Sequence, residues 1–485
     1  MHIILPLLYI LSFFPSFTSQ NIYFNKHEQV HLSLLDGPHN IAVSWVTFYD
    51  LRKLQRKPTV KYGTATGTGQ KKTGFTRILK VAKSTITRYF HTVVLKNLEA
   101  NQRYYYKVGD GETWSKIFTF KTFPYGSNYG VKICIFGDLD TGVMYTVEKL
   151  RIAVERDICQ MIIHVGDIAY NLQGKQGTIG DDFMRTIEPI AAHVPYMVIN
   201  GNHEFDCHGY SHYENRFEMP TGKYKTDHFY AFNVGLVNFV ALSSEAYGFY
   251  IYNGPLSIKR QAQWLYVTLE RNKMYKNKRP WTISYLHRPL YCLQKTTEGE
   301  CYEHESLTLR RGFKDIPGLE DYFFSYGVDL VFSGHEHGYQ RNYPTYNRTV
   351  FKHPIHHYHN PAAPIYILSG AAGCTKCSKL PVLENIRNHP FAATRSLEYG
   401  YTHVHVINYT HIRITQMNTQ TDKIVDQFWI TKEIGHEMPR HYKMYRHLGE
   451  YKSYNGPYRH SYLTLSKGND YCNRYFNVPI YNYNG

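Results

Sequence analysis

Six short apolar stretches in the second part of the sequence each end abruptly in a polar cluster. They read VKICIFGD, QMIIHVGD, PYMVINGN, VNFVALSS, WTISYLH and GVDLVFSGH. Helical patterns such as VMYTVEKLRIAVERD and SIKRQAQWLYVTLERNKM lie between several of them. Apolar runs that alternate with helices predict an α/β domain whose strands are buried on both faces. In such sheets the loops after the strands carry the chemistry, so the polar clusters are the first candidates for a site.

Five strand ends carry residues of the types that bind metal ions. They are Asp138, Asp167 with Tyr170, Asn202 with His203, His287, and His335 with His337. A Gly-Asp pair after a strand is often only a turn, and the chain has 27 histidines, so each motif alone is weak. All five together predict a metal site.

The types of these side chains limit the metals and their number. Mixed Asp, Asn and His ligands suit Fe, Zn or Mn and not a soft thiolate site. Seven ligands are too many for one tetrahedral zinc ion, but they suffice for two ions, roughly 3.5–4 Å apart, if one carboxylate bridges them. We expect His335 and His337 to face different ions. Two cations held by few anionic ligands attract a phosphate ester.

The stretch from about Glu28 to Thr122 has an all-β pattern. Its short segments, among them QVHLSLL, IAVSWVTF and RYYYKVG, alternate with period two and are separated by turns rich in Gly, Asn and Asp. This pattern predicts a β-sandwich, and nothing in it suggests catalysis. The Pro/Gly/Ser-rich segment 123–130 is the expected linker to the α/β domain.

The N-terminus and two sequons predict a secretory route. Residues 1–20 contain an apolar core that fits a signal peptide and is too short to span a bilayer. No later stretch is apolar enough to span one. Asn347-Arg-Thr and Asn408-Tyr-Thr are glycosylation sequons. We therefore expect a secreted or lysosomal glycoprotein.

An oxidising compartment permits disulfides among the eight cysteines. Cys292 and Cys301 bracket a short loop and make a plausible pair. Cys374 and Cys377 form either a local disulfide or two unrelated thiols. Cys134 lies inside an apolar strand, which predicts a buried free thiol.

The chain is basic, with 55 Lys and Arg against 39 Asp and Glu and a formal net charge of +16. Such an excess can attract nucleic acid or phosphate-bearing substrates. No run of five basic residues and no nucleic-acid motif is present. A diffusely basic surface and small phosphate-ester substrates are therefore favoured over a nucleic-acid partner.

The ordered motifs GD, GDxxY, GNHE, H and GHEH resemble the purple acid phosphatase family of metallophosphoesterases, in its animal high-molecular-weight type. The resemblance runs from about Gln29 to Lys432. It implies a metallophosphoesterase-type αββα sandwich preceded by a fibronectin type III-like β-sandwich. The expected division is a signal peptide (1–20), the fibronectin-like domain (22–123), the catalytic domain (131–434) and a Tyr/His-rich tail (435–485).

The resemblance also implies a role for each residue of the site. Asp138, Tyr170 and His337 would hold Fe(III), Asp167 would bridge, and Asn202, His287 and His335 would hold a divalent Fe, Zn or Mn ion. His203 would protonate the leaving alkoxide, and His304 would be a second substrate-facing histidine. Asp140 stands where the family usually has glycine. Its carboxylate could perturb the ferric site, clash, or point to solvent.

The implied activity is that of an acid phosphatase that hydrolyses phosphomonoesters by metal-hydroxide attack. Two alternatives remain open at this point. One is phosphodiester or pyrophosphate hydrolysis on the same centre, and the other is a non-catalytic secreted metal-binding relative. A homodimer is also left open, and the tail has no assigned role.

Overall fold

The computed structural model describes residues 27–66, 69–80, 84–206, 209–221, 228–250, 254–295, 305–313, 315–375, 382–383 and 389–438. The expected signal peptide, His304, Cys301, Cys377 and tail residues 439–485 lie outside these ranges.

The first part of the chain forms two four-stranded antiparallel sheets. Their strands are β1 (Glu28–Leu35), β2 (Gly37–Thr47), β3 (Thr59–Gly63), β4 (Gln70–Thr73), β5 (Phe75–Lys80), β6 (Thr87–Leu95), β7 (Arg103–Gly109) and β8 (Phe118–Lys121). The strand orders are β1-β2-β6-β5 and β4-β3-β7-β8, with a 3-10 helix at Leu51–Leu54. Alternate residues of β7 are buried, and Trp45 and Tyr106 fill the space between the sheets. Period-two alternation thus produces the sandwich that it predicted.

The second part of the chain contains two larger mixed sheets with helices on their outer faces. Its main strands are β9 (Val131–Phe136), β10 (Met161–His164), β11 (Tyr196–Val198), β12 (Tyr230–Val234), β13 (Val237–Ala241), β14 (Trp281–Tyr285), β15 (Gln294–Lys295), β16 (Gly312–Phe313), β17 (Ile316–Pro317), β18 (Leu330–Ser333), β19 (Tyr339–Asn342), β20 (Thr345–Tyr346), β21 (Thr349–Val350), β22 (Ile365–Ser369), β23 (Val382–Leu383), β24 (Ala392–Ser396), β25 (Gly400–Val406), β26 (His411–Asn418) and β27 (Ile424–Thr431).

In the part of the chain that the structure describes, seven α-helices accompany these strands. They are α1 (Met144–Glu155), α2 (Thr178–Ala191), α3 (Ser211–Arg216), α4 (Glu245–Gly248), α5 (Leu256–Met274), α6 (Glu305–Arg311) and α7 (Glu320–Ser325), with 3-10 turns at Gly174–Gly177 and Asn202–Glu204. Within the described ranges, none of the helices is long and apolar enough to cross a bilayer.

The two larger sheets face each other across one core. The six-stranded sheet has the order β11-β10-β9-β25-β26-β27, and the seven-stranded sheet has the order β12-β13-β14-β18-β22-β19-β24. Ile133 and Ile162 of the first sheet belong to the same buried cluster as Ile283 and Phe332 of the second. The opposite face of the second sheet packs on helix α5, for example through Leu265. The predicted α/β class with an all-β sandwich in front is confirmed.

The strand pairing brings the polar clusters together. β9, β10 and β11 are parallel neighbours, as are β14 and β18. Because parallel neighbours end at the same edge of a sheet, the loops that follow them meet at one edge of each sheet. The continuous apolar runs are needed because both faces of these central strands are covered.

A buried ion cluster joins the sandwich to the α/β domain. Arg88 of β6 donates to both carboxylate oxygens of Asp181 in α2, and Arg216 of α3 donates to the same carboxylate at 2.9 Å. The three side chains are at most 3% exposed. Leu32 of β1 also makes a parallel bridge with Pro195. The sandwich is thus packed against the elements that lead into the site.

The expectation of a free thiol at Cys134 is wrong. Cys134 in β9 forms a disulfide with Cys159, and their Cα atoms are 5.5 Å apart. Helix α1 returns the chain to the start of β10, the parallel neighbour of β9, and Cys159 therefore lies beside Cys134. The apolar pattern of the strand predicts that Cys134 is buried, but it does not show that helix α1 brings Cys159 next to it. Cys292 and Cys374 are also disulfide-bonded, whereas their expected partners lie outside the described residues.

Candidate metal centre

The candidate ligands come from five strand ends and converge on one place. Ligand atoms of Asp167, His287 and His335 all lie within 4.8 Å of one another. Asp138 is linked to this group because its Oδ2 accepts a hydrogen bond of 2.9 Å from the backbone N–H of His335. Residues separated by up to about two hundred positions thus meet at one place at the sheet edges.

A first group of donor atoms consists of Asp138, Tyr170 and His337. The phenolic oxygen of Tyr170 lies 2.6 Å from Nε2 of His337 and donates to Oδ1 of Asp138 at 3.3 Å. Nε2 of His337 lies 3.6 Å from the same Oδ1. Burial and the carboxylates of Asp138 and Asp167 raise the pKa of Tyr170 well above its usual value. Its phenolate form therefore requires a cation next to it.

A second group of donor atoms consists of Asn202, His287 and His335. Oδ1 of Asn202 lies 3.0 Å from Nε2 of His287 and 2.9 Å from Nδ1 of His335. The two nitrogens are 3.3 Å apart. Burial, together with the charges of Arg288 and His287, lowers the pKa of His335 well below its usual value. His335 is therefore neutral, which is the form of histidine that binds a metal.

Asp167 lies beside both groups. Its Oδ1 is 3.2 Å from Nε2 of His287, and its charge acts on Tyr170 and His337 of the first group. Burial opposes its ionisation, but His287 and His203 hold the pKa of Asp167 well below its usual range. An ionised carboxylate between an oxygen-rich group and a nitrogen-rich group fits a pair of cations of the hard or borderline type.

The backbone at the site adopts conformations that side chains rarely take. Asp138, Asp167, Tyr170 and His335 all have positive φ angles, between 48° and 72°. Non-glycine residues in this region are strained and cluster at functional sites. The tight turns aim the side chains back over the strand ends.

Two glycines in the motifs are required by close approach. A Cβ atom at Gly201 would lie 2.3 Å from Oδ1 of Asp167, and one at Gly334 would lie 2.5 Å from Oδ2 of Asp138. Both contacts are too short for any real Cβ atom. This explains why glycine precedes the ligand-type residues in GNHE and GHEH.

His203 lies at the mouth of the site. Its side chain is 36% exposed, and its Nε2 lies 3.8 Å from Oδ2 of Asp167. Nδ1 lies 3.0 Å from the side-chain oxygen of Asn171, and the ring contacts that of Tyr170. Since Asn171 Oδ1 accepts from Nδ1–H, Nε2 is left facing the site. Asn171 was not singled out in the sequence, although it directly follows a candidate ligand.

Glu204 holds the loops rather than a metal. Its buried carboxylate accepts hydrogen bonds from the backbone N–H groups of Asp167, Ile168 and Gly201, at 2.7–2.9 Å. Burial and the charge of Asp167 raise the pKa of Glu204 to about 8. This one side chain therefore ties the GDxxY turn to the GNHE turn.

A buried ion pair beside His335 is a feature that sequence reasoning missed. Arg288 donates from Nε to both oxygens of Glu245, at 2.9 and 3.0 Å, and its Nη1 lies 3.4 Å from Nε2 of His335. Arg288 directly follows His287, and this adjacency was the available signal. Glu245 lies in α4, and nothing in its local sequence indicates the contact.

Asp140 does not point to solvent. It is 1% exposed, and its carboxylate accepts from the backbone N–H and hydroxyl of Thr141 and from the hydroxyl of Thr375. Its backbone N–H donates to the carbonyl of Gly373. The carboxylate thus fastens the first motif to the segment around Cys374.

Three family models match successive parts of the chain. The model of the purple acid phosphatase N-terminal domain matches residues 27–122, and that of the calcineurin-like phosphoesterases matches residues 131–339. A third, described as iron/zinc purple acid phosphatase-like protein C, matches residues 363–427. The first match covers the β-sandwich, the second covers the strands from β9 to β18 with the loops that follow them, and the third covers the strands from β22 to β26.

Individual proteins agree with these models. Acid phosphatase type 7 of Homo sapiens is 35% identical over 414 residues, which cover 84% of this chain and 91% of that protein. The probable purple acid phosphatase 20 of Arabidopsis thaliana is 28% identical, covering 83% and 87% of the two chains. Among solved structures, purple acid phosphatase PPD1 from yellow lupin seeds shares the fold, with a TM-score of 0.71 at 22% identity over 84% of this chain and 75% of that one. This chain belongs to the purple acid phosphatase family.

Proposed function

We propose that this chain is an acid phosphatase that hydrolyses phosphomonoesters at a binuclear metal centre. Membership of the family supports the reaction class. The observation that carries the proposal is the meeting of the Asp138–Tyr170–His337 group and the Asn202–His287–His335 group on either side of Asp167.

The donor atoms divide naturally between two different cations. Asp138, Tyr170 and His337 offer a carboxylate, a phenolic oxygen and one imidazole, which suit Fe(III). Asn202, His287 and His335 offer a neutral amide oxygen and two imidazoles, which suit a divalent Fe, Zn or Mn ion. Asp167 would bridge them. When bound, such a pair polarises phosphoryl oxygens and lowers the pKa of a water molecule.

The chain's own residues supply the remaining parts of the reaction. His203 is the accessible proton donor, because its Nε2 faces the site and its Nδ1 is held by Asn171. Its role is to protonate the leaving alkoxide. Glu204 holds the two turns that carry Asp167 and His203 at a fixed separation. His304, the second proposed substrate-facing histidine, lies outside the described residues.

A secretory location belongs to the same proposal. Asn347 and Asn408 of the two sequons are exposed, as glycosylation requires. The disulfide between Cys134 and Cys159 supports passage through an oxidising compartment. We also propose that the chain is divided into a signal peptide, a fibronectin-like domain (22–123), a catalytic domain (131–434) and a tail.

Substrate class is tested with the purified, metal-loaded full chain. Hydrolysis of p-nitrophenyl phosphate is compared with that of bis(p-nitrophenyl) phosphate at mildly acidic pH. We expect the monoester to be turned over at least ten-fold faster. A preference for the diester would replace phosphomonoesterase by phosphodiesterase activity, and no turnover of either ester by fully loaded protein would favour a non-catalytic relative.

A further inference from the structure

The outer face of the sheet β4-β3-β7-β8 carries a row of lysines. In the strand register Lys71 of β4 is directly opposite Lys61 of β3, and Lys61 is directly opposite Lys107 of β7. Their neighbours Val60, Tyr106 and Val108 point into the sandwich core, so the lysines point outward. Three ammonium groups therefore cross three adjacent strands on one face.

A second cationic pair lies on the same face. Arg103 of β7 is directly opposite Lys121 of β8, and both are exposed. Arg103 is four residues from Lys107 along β7, so the two rows are about 13 Å apart. Within the described ranges, none of these five side chains lies within ion-pair distance of a carboxylate. We call Lys61, Lys71, Lys107, Arg103 and Lys121 the cationic face.

This arrangement carries a cost in stability. Like charges directly opposite each other in a sheet are destabilising. Partial burial and the charges of Lys71 and Lys107 lower the pKa of Lys61. Protection of a sheet edge against pairing explains a lysine on the edge strand β4, but not Lys61 and Lys107 on the inner strands. Contacts with the ring of Trp114 offset part of this cost for Lys61 and Lys107, but among the described residues they do not extend to Lys71, Arg103 or Lys121.

The surroundings restrict the partner. Lys61 Nζ lies 4.3 Å and Lys107 Nζ 5.4 Å from the ring centre of Trp114, so ammonium groups occupy the aromatic surface on which a nucleic-acid base would stack. The face belongs to a four-stranded sheet, which is wider than the α-helix or two-stranded β-ribbon that the major groove of DNA admits. Ile117, just before β8, is exposed, but a single isoleucine is too little apolar surface to enter a bilayer.

We propose that the cationic face binds a sulfated polysaccharide. A linear chain with repeated sulfate groups can contact both rows at once, whereas a single small anion would meet only one or two ammonium groups. Lysine is suited to this role because its flexible stem carries a point charge that does not demand a fixed planar partner. The carboxylates of Glu155 and Asp157, which line the cleft next to Arg103 and Lys121, already contact Arg151 and Lys132. The proposed binding does not depend on the hydrolytic site.

The test uses the full chain and immobilised heparin as the probe. The triple variant K61Q/K71Q/K107Q is compared with K96Q/K278Q/K423Q, which removes the same charge from scattered positions outside the face. Affinity is measured at several salt concentrations, since such contacts are screened by salt. Hydrolysis of p-nitrophenyl phosphate is followed in all three proteins to confirm that they are folded.

We expect at least a ten-fold loss of heparin affinity and a shallower salt dependence for the first triple variant, with less than a three-fold loss for the second. Equal losses in the two triple variants would show that net charge alone is responsible and would overturn the proposal. So would failure of the unmodified chain to bind heparin. Duplex DNA and phosphatidylserine vesicles are compared with heparin at the same concentration of negative charge. If either binds more tightly than heparin and loses this binding in K61Q/K71Q/K107Q, the face has another partner and the proposal is contradicted.

Discussion

The phenolic oxygen of Tyr170 lies 2.6 Å from Nε2 of His337, although the two residues are 167 positions apart. Both also approach Oδ1 of Asp138. Burial and two carboxylates raise the pKa of Tyr170, so its phenol keeps its proton unless a cation bound among the three side chains stabilises the phenolate. This contact is the relationship from which the proposed ferric site follows.

Replacement of His203 by alanine tests its role as proton donor. We expect kcat for phenyl phosphate to fall about 10²–10⁴-fold, the usual contribution of general acid catalysis. The loss should be smaller for p-nitrophenyl phosphate, because a better leaving group needs less protonation. Steady-state kinetics with both esters measure this difference. Equal losses for the two esters would indicate a structural effect and remove the assigned role.

Replacement of Gly334 by alanine tests the close approach at GHEH. The added Cβ would lie 2.5 Å from Oδ2 of Asp138, so the carboxylate must move away from its position. We expect at least a ten-fold loss of bound iron and of turnover in a folded protein. Gly69→Ala is the matched control, since its Cβ meets nothing within 4 Å. Full metal content in the Gly334 variant, measured by elemental analysis, would contradict the geometry.

The Asp181 cluster predicts a pH-dependent term in stability. Burial opposes ionisation of Asp181, but Arg216 and Arg88 lower its pKa from 3.8 to about 2. A carboxylate whose pKa is lower in the folded chain stabilises it above the unfolded pKa. The contribution, about 2 kcal/mol, should be complete above pH 4 and lost as the pH falls from about 4 to 2.

Urea unfolding between pH 2 and 6 measures this term as the difference between the unmodified chain and Asp181→Asn. Asp182→Asn is the control, because Asp182 is 67% exposed and pairs only at the surface with Arg185. The Asp181 variant should also be less stable above pH 4, by about 3–5 kcal/mol, since two buried guanidinium groups lose their partner. A difference independent of pH would contradict the assigned pKa.

Most of the fold and the set of candidate ligands could be predicted from the sequence, because the signals are local. Apolar runs that end in GD, GNHE or GHEH report both the buried strands and the side chains at their ends. The alternation in segments such as RYYYKVG reports a sandwich strand. Because these patterns depend on a few consecutive residues, they can be recognised without knowledge of the tertiary structure.

The remaining contacts depend on tertiary geometry that no local pattern contains. The disulfide partner of Cys134 is set by the return of helix α1, and the contact of Glu245 with Arg288 is set by the position of α4. The burial of Asp140 depends on Thr375, more than two hundred residues away. Charge counting gave a diffusely basic surface, whereas the row from Lys71 to Lys107 appears only once the register of three strands is known.

The most direct test of the binuclear centre is the visible absorption spectrum of the iron-loaded chain. In the purple acid phosphatase family a tyrosinate bound to Fe(III) produces the colour, and Tyr170 is the residue that this structure offers for it. We predict a visible charge-transfer band in the unmodified protein that disappears in Tyr170→Phe while the fold is retained. A colourless iron-loaded protein, or a band that persists in Tyr170→Phe, would contradict the proposed site.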